Sequence, residues 1–217
     1  MPVRCDVNEP VNDCFDEMEV GGAVVDWNTY SPVWAPVSVA ACPGQGRKCL
    51  TLRDRDPCDY AKAERVFPPS KQVTVRFGVL AAQRDAGQLQ GEILDARGRV
   101  AFRLVFDSDG RILVHHGTRM HVLGGYAAQT WYQVALDLDT HARCYDLAVG
   151  ELSVRGAPFV EPMCSSMERI LLRTGSARTT PALETDRHAG EDLPGADEPV
   201  PEAVFYIDGL RTSGHDA

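Results

Sequence analysis

The sequence predicts an all-β domain, a two-sheet antiparallel jelly-roll sandwich, and three observations carry that prediction. Apolar residues alternate at period two through most of the chain. Helical periodicity is almost absent. Roughly a dozen short apolar segments are separated by turn-forming clusters, at the spacing of a sandwich or barrel.

Taken in order, the first segments are VSVA (37–40), KCLTLRD (48–54) and AERVF (63–67). In QVTVRFGVL, Val73, Val75, Phe77 and Val79 share one face and Thr74, Arg76 and Gly78 the other. In RVAFRLVF, Val100, Phe102, Leu104 and Phe106 alternate with Arg99, Ala101, Arg103 and Val105. The turn DSDG then leads into RILVHH, its Asp-Gly pair a strong hairpin signal. WYQVALDLD sets Tyr132, Val134, Leu136 and Leu138 on one side, and CYDLAV follows with Tyr145, Leu147 and Val149. ERILLRT and AVFYIDGLR complete the series, and helix is limited to a turn near Asp59–Lys62. The stretch 176–203, rich in Pro, Gly and acid, has too little apolar surface to offset the entropy of ordering. It reads as a long mobile acidic loop before the last strand, which needs a sheet to pair with. Residues 1–217 are therefore expected to form one domain.

Composition narrows the partners. The 217 residues carry 22 basic and 31 acidic side chains, a net charge of −9. That balance repels nucleic-acid backbones and anionic lipid. No apolar run is long enough to span a bilayer, so membrane insertion is not expected. The N-terminal MPVRCDVNEPV lacks the apolar core of a signal peptide. The chain is then either cytosolic or a mature domain of a longer secreted protein.

The seven cysteines are Cys5, Cys14, Cys42, Cys49, Cys58, Cys144 and Cys164. Cys42 and Cys49 bracket the turn-rich PGQGRK and could close a hairpin, as Cys5 and Cys14 could tie down the N-terminal segment. The alternative is that most are reduced, small, buried side chains. Zinc is not expected: there is no CxxC pair, and His115 and His116 point to opposite faces of a strand.

The order of several blocks resembles the concanavalin A-like lectin/glucanase superfamily, in its laminin-G-like and polysaccharide-processing branches. These blocks are Cys14-Phe15-Asp16-Glu17, KCLTLRDRDPCDYAKAERVF, LQGEILDARGRVAFRLVF, GGYAAQTWYQVALDLD and the closing FYIDGL. A galactose-binding-like jelly roll, with a similar Phe-Asp opening and Ile-Asp closing, is the alternative fold. The resemblance implies that the first and last strands pair. It also implies that carboxylates there, Asp16 and Asp208, share a structural Ca²⁺, with Asp54, Asp56 and Asp59 a second acidic turn. Asx-turns are the plainer role for these aspartates. Domains of this look often accompany or form part of secreted glycan-degrading enzymes, which implies an extracellular setting and further domains.

The resemblance also implies that a concave sheet face holds sugar chains. If the alternating apolar set faces the core, Arg76, Arg103 and Gln133 point away from it, with Gln90, Glu92, His115 and Arg173 as companions. Guanidinium forks suit the carboxylates of a uronic-acid polymer, and Tyr126 could stack on a sugar ring. An ordinary solvated face with paired charges is the alternative. Two enzyme readings compete. A retaining glycosidase fails, because Glu92 and Asp95 point to opposite faces and a third acid is absent. A polysaccharide lyase would use Arg103, Gln90, His115 and Tyr126, but its strand signatures are missing. The expected function is a non-catalytic carbohydrate-binding or glycan-positioning domain of a larger secreted protein, binding an oligo- or polysaccharide. The alternative is a lyase or hydrolase acting on acidic glycans through the concave face.

Overall fold

Alternation becomes architecture because a strand with one apolar face must bury it against a second such sheet. In the computed structural model, which describes residues 10–175 and 198–215, fifteen strands form two antiparallel sheets. The first sheet runs β13 (Leu152–Pro158), β12 (Cys144–Val149), β11 (Trp131–Asp139), β6 (Gln72–Ala81), β15 (Ala203–His215), β4 (Lys48–Asp54) and β3 (Val37–Ala41). The short β1 (Asn12–Asp13) also pairs with β15. The second sheet runs β10 (Arg119–Gly125), β9 (Arg111–His116), β8 (Val100–Phe106), β7 (Leu89–Leu94), β14 (Met167–Thr174), β5 (Lys62–Ser70) and β2 (Asn28–Tyr30).

The two sheets pack face to face as a jelly-roll sandwich. Leu50, Val75, Val79, Leu136 and Ile207 of the first sheet meet Ile93, Phe102, Leu104, Ile170 and Leu172 of the second in one buried cluster. Tyr145 joins the layers. Its ring meets Phe102 edge-on at 5.0 Å, and its hydroxyl donates to the His115 carbonyl. The first and last strands do pair, as expected: Asn12 lies opposite Arg211 and Asp13 opposite Leu210.

The described residues contain no helix, which corrects the turn expected near Asp59–Lys62. Asp56 instead accepts the amides of Cys58 and Asp59, both at 2.9 Å, and Lys62 opens β5. A short acid that bonds nearby amides competes with helix there. Two hairpin turns share one design. Asp95 accepts the amides of Arg97 and Arg99 and the Arg99 Nε, and Asp107 does the same with Asp109 and Arg111. In both, a glycine at positive φ (Gly98, 79°; Gly110, 73°) completes the turn. Of the expected 176–203 loop, residues 176–197 lie outside the described residues, and Ala203 already belongs to β15.

Candidate functional site

The face of the second sheet that points away from the core carries the polar constellation. Phe102 and Leu104 face inward on β8, so Arg103 faces out. The same parity turns Gln90 and Glu92 outward on β7, His115 on β9 and Arg173 on β14. Pairing then sets them side by side. Glu92 is the register partner of Arg103, and Gln90 that of Arg173. His115 lies one position beyond the Leu104–Val114 pair, beside Arg103.

This face is dry, unlike an ordinary outer face. Gln90 is 1% exposed, Glu92 7% and His115 8%. Arg103 Nε donates to Glu92 Oε1 at 2.6 Å, so that pair is satisfied. Gln90 Oε1 and both ring nitrogens of His115 are buried without a hydrogen-bond partner. Burial, and then the neighbouring Arg103 charge, lower the His115 pKa and keep the ring neutral. The Gly117 backbone pulls the other way but lies outside hydrogen-bonding geometry of either nitrogen.

Toward β5 and β2 the face ends in an aromatic rim. Arg173 sits 4.3 Å over the Tyr60 ring, and Tyr60 meets Tyr30 at 5.4 Å. Tyr30 is 44% exposed and donates to Asp59 Oδ2 at 2.6 Å. Tyr60 and Arg173 also line a cleft of ≈ 400 Å³ with Asp54, Asp56 and Asp59. Burial raises the Asp54 pKa. The tyrosine pair had no signal in strand periodicity, since Tyr60 precedes β5 and Tyr30 closes a three-residue edge strand.

Two expected members lie elsewhere. Arg76 faces out from the first sheet, between Ala135 and Arg211. Tyr126 is 4% exposed in the loop after β10, its ring 5.3 Å from Phe106 and its hydroxyl donating to the Asp107 carbonyl at 2.7 Å. Burial pushes its phenol up to about 12. It is a core side chain, not a sugar platform, and it is not placed beside His115 as the lyase base.

A family model described as "Sialidase-like, CBM domain" matches residues 27–189. A solved structure titled "Sialidase" is 36% identical, with 99% of this chain and 19% of that chain covered and a TM-score of 0.86. The chain belongs to the sialidase-like carbohydrate-binding domains. Its role is therefore non-catalytic carbohydrate binding. This carbohydrate-binding domain spans 19% of the length of that sialidase chain. Two further structures share the fold alone. They are an apo Crh5 transglycosylase (12% identical, 95% and 85% covered, TM-score 0.64) and the cellulose-induced protein Cip1 (13%, 95% and 98%, 0.57). No curated protein matches the domain.

The structure sets cationic side chains against the expected calcium ligands, Asp16 and Asp208. Asp208 is buried on the outer face of the first sheet and ion-paired with Arg47. Asp16 accepts the Lys48 amide at 2.8 Å. Lys48 Nζ bonds the carbonyls of Asp16 (2.8 Å) and Met18 (2.6 Å). Two cationic side chains thus bind Asp208 Oδ2 and the carbonyls of Asp16 and Met18, oxygens of the kind a divalent cation uses, while Asp208 Oδ1 has no partner among the described residues. Among the described residues, no group of three or more acids, histidines or cysteines could hold a metal. Cys42 and Cys49 are both buried free thiols.

Proposed function

We propose that the outer face of the second sheet is where the domain holds its glycan, centred on Gln90, Glu92, Arg103 and His115 and rimmed by Arg173, Tyr60 and Tyr30. One observation carries this reading: Gln90 Oε1 and both His115 nitrogens are buried with no partner, on a face turned away from the core. A buried polar atom left unpaired costs about 1–3 kcal/mol, a cost that a bound hydroxyl would remove. The exposed Tyr30 ring and the half-buried Tyr60 ring at the rim suit the apolar faces of sugar rings. The polar outer face and the pairing of first and last strands also support the concanavalin A-like reading of the sandwich. We further place the domain in a larger extracellular protein that processes a polysaccharide, where it would hold the parent on its polymer.

The test is affinity electrophoresis against a panel of polysaccharides. Gln90→Ala, His115→Ala and Tyr60→Ala are each expected to weaken retention at least about tenfold, the cost of one lost buried polar or stacking contact. Arg76→Ala, on the other sheet, is the control. Loss of retention with Arg76→Ala alone would move the site to the first sheet and overturn the proposal.

A further inference from the structure

The charge arithmetic of this face selects among glycans. Arg103 lies beside His115, and its Nε already bonds Glu92 at 2.6 Å, the two side chains 13% and 8% exposed. A buried guanidinium held by its own carboxylate has no net charge to offer a second one. His115, kept neutral by burial and by Arg103, adds none. Other charges on the face lie toward β14 and β5. Arg169 pairs with Glu64 at 3.5 Å, Arg173 is anchored over Tyr60, and Lys62 is the register partner of both Arg173 and Tyr30.

The unmet hydrogen bonds have a definite sense. Gln90 Oε1 accepts only. A neutral imidazole offers one N–H and one lone pair, and both of its nitrogens are open. A hydroxyl, donor and acceptor at once, satisfies all three positions, whereas a carboxylate accepts only and would repel Gln90 Oε1. His115 on β9 and Gln90 on β7 flank β8, so their strands lie about 9–10 Å apart. That span matches a disaccharide rather than a single ring.

From these contacts we infer that the centre of the face recognises an uncharged, hydroxyl-rich glycan segment at least two residues long, and that Gln90, His115 and the closed Arg103–Glu92 pair set this specificity. The inference rests on the glycan-binding reading above and replaces the uronic-acid polymer expected from the arginines in the sequence. Carboxylate sugars are disfavoured because Glu92, bonded to Arg103 Nε, already neutralises the charge they would need.

The experiment is calorimetric titration of the chain with two sets of oligosaccharides. The neutral set contains oligomers of glucose, xylose, galactose and mannose. The acidic set contains oligogalacturonate, oligoalginate and sialyl-lactose. Wild type is expected to bind at least one neutral oligomer at least about tenfold more tightly than any acidic one, a difference of about 1.4 kcal/mol. Added salt should leave that binding unchanged, since no net charge is neutralised. His115→Phe should weaken the neutral ligand about tenfold or more.

Glu92→Gln is the decisive variant. It leaves the Arg103 charge uncompensated and should raise the acidic-to-neutral affinity ratio about tenfold, a gain that misfolding cannot produce. An acidic oligomer bound best by wild type, and weakened by Arg173→Ala, would overturn the inference and leave the glycan-binding face standing. Failure to bind any probe, or binding abolished by Arg76→Ala alone, would remove the face itself and the inference with it.

Discussion

The outer faces of the two sheets are built from the same alternation, but their central strands treat polar residues differently. On the first sheet the polar groups along β6 and β11 are wet or paired. Thr74 donates to Asp137 at 2.6 Å and Gln72 to Asp139 at 2.9 Å across β6 and β11, while Arg76 stands exposed. Two buried oxygens of that sheet, Thr51 Oγ1 and Asp208 Oδ1, also lack partners and lie beside the β3–β4 hairpin. That hairpin is held by the Trp131–Pro43 bond at 3.0 Å and the Arg47–Asp208 pair. On the second sheet a closed ion pair, a glutamine and a histidine are drawn out of water, with three positions left open. Strands that only meet solvent, like β6 and β11, satisfy their own groups. A face that keeps dry, unmet hydrogen bonds is arranged for a partner.

The largest break in this contrast should come from Arg103→Ala. It strands the buried Glu92 carboxylate and should lower unfolding stability by about 3 kcal/mol in urea titration. The matching change on the first sheet, Arg76→Ala, should stay within about 0.5 kcal/mol. Equal effects would erase the distinction between the faces.

Tyr145→Phe removes the hydroxyl that ties the first sheet to the His115 carbonyl. It should cost about 1 kcal/mol and loosen β9, read as faster amide exchange at His115 and its neighbours.

The smallest effect is pH-dependent. The folded His115 pKa lies below its ordinary value of about 6.5, so the unfolded chain binds the extra proton first. Stability is then full above pH ~6.5 and declines as pH falls from there toward the lower folded pKa. His115→Gln should flatten that part of the stability profile. An unchanged slope would mean that His115 is not held neutral by the face.

Much of the fold was legible in particular residues. The alternation of Val73 to Val79, of Val100 to Phe106 and of Val134 to Leu138 placed three central strands and their inward faces. The edge strands were not legible in the same way. β10 reads as exposed along most of its length and β13 has only one fully buried position. An edge strand open to water on much of its surface carries no apolar rhythm to detect. The site divides along similar lines. Gln90, Glu92, Arg103, His115 and Arg173 were legible as outward-facing polar residues. The Tyr30–Tyr60 rim was not, because the contact joins residues outside any long strand.

The sequence by itself determined that this is a β-sandwich and which side chains of each central strand leave the core; that the first strand meets the last was implied only by the family resemblance. A period of two states which face a residue takes, but carries no information about which sheet its strand joins. Arg76 and Arg103 look alike in that pattern, each an arginine between inward-facing apolar residues. Only the tertiary pairing separates them, placing β6 between β11 and β15 in one sheet and β8 between β7 and β9 in the other. Whether the arginines bind an acid was decided there too, because the partner that closes Arg103 is Glu92, brought opposite it by strand register.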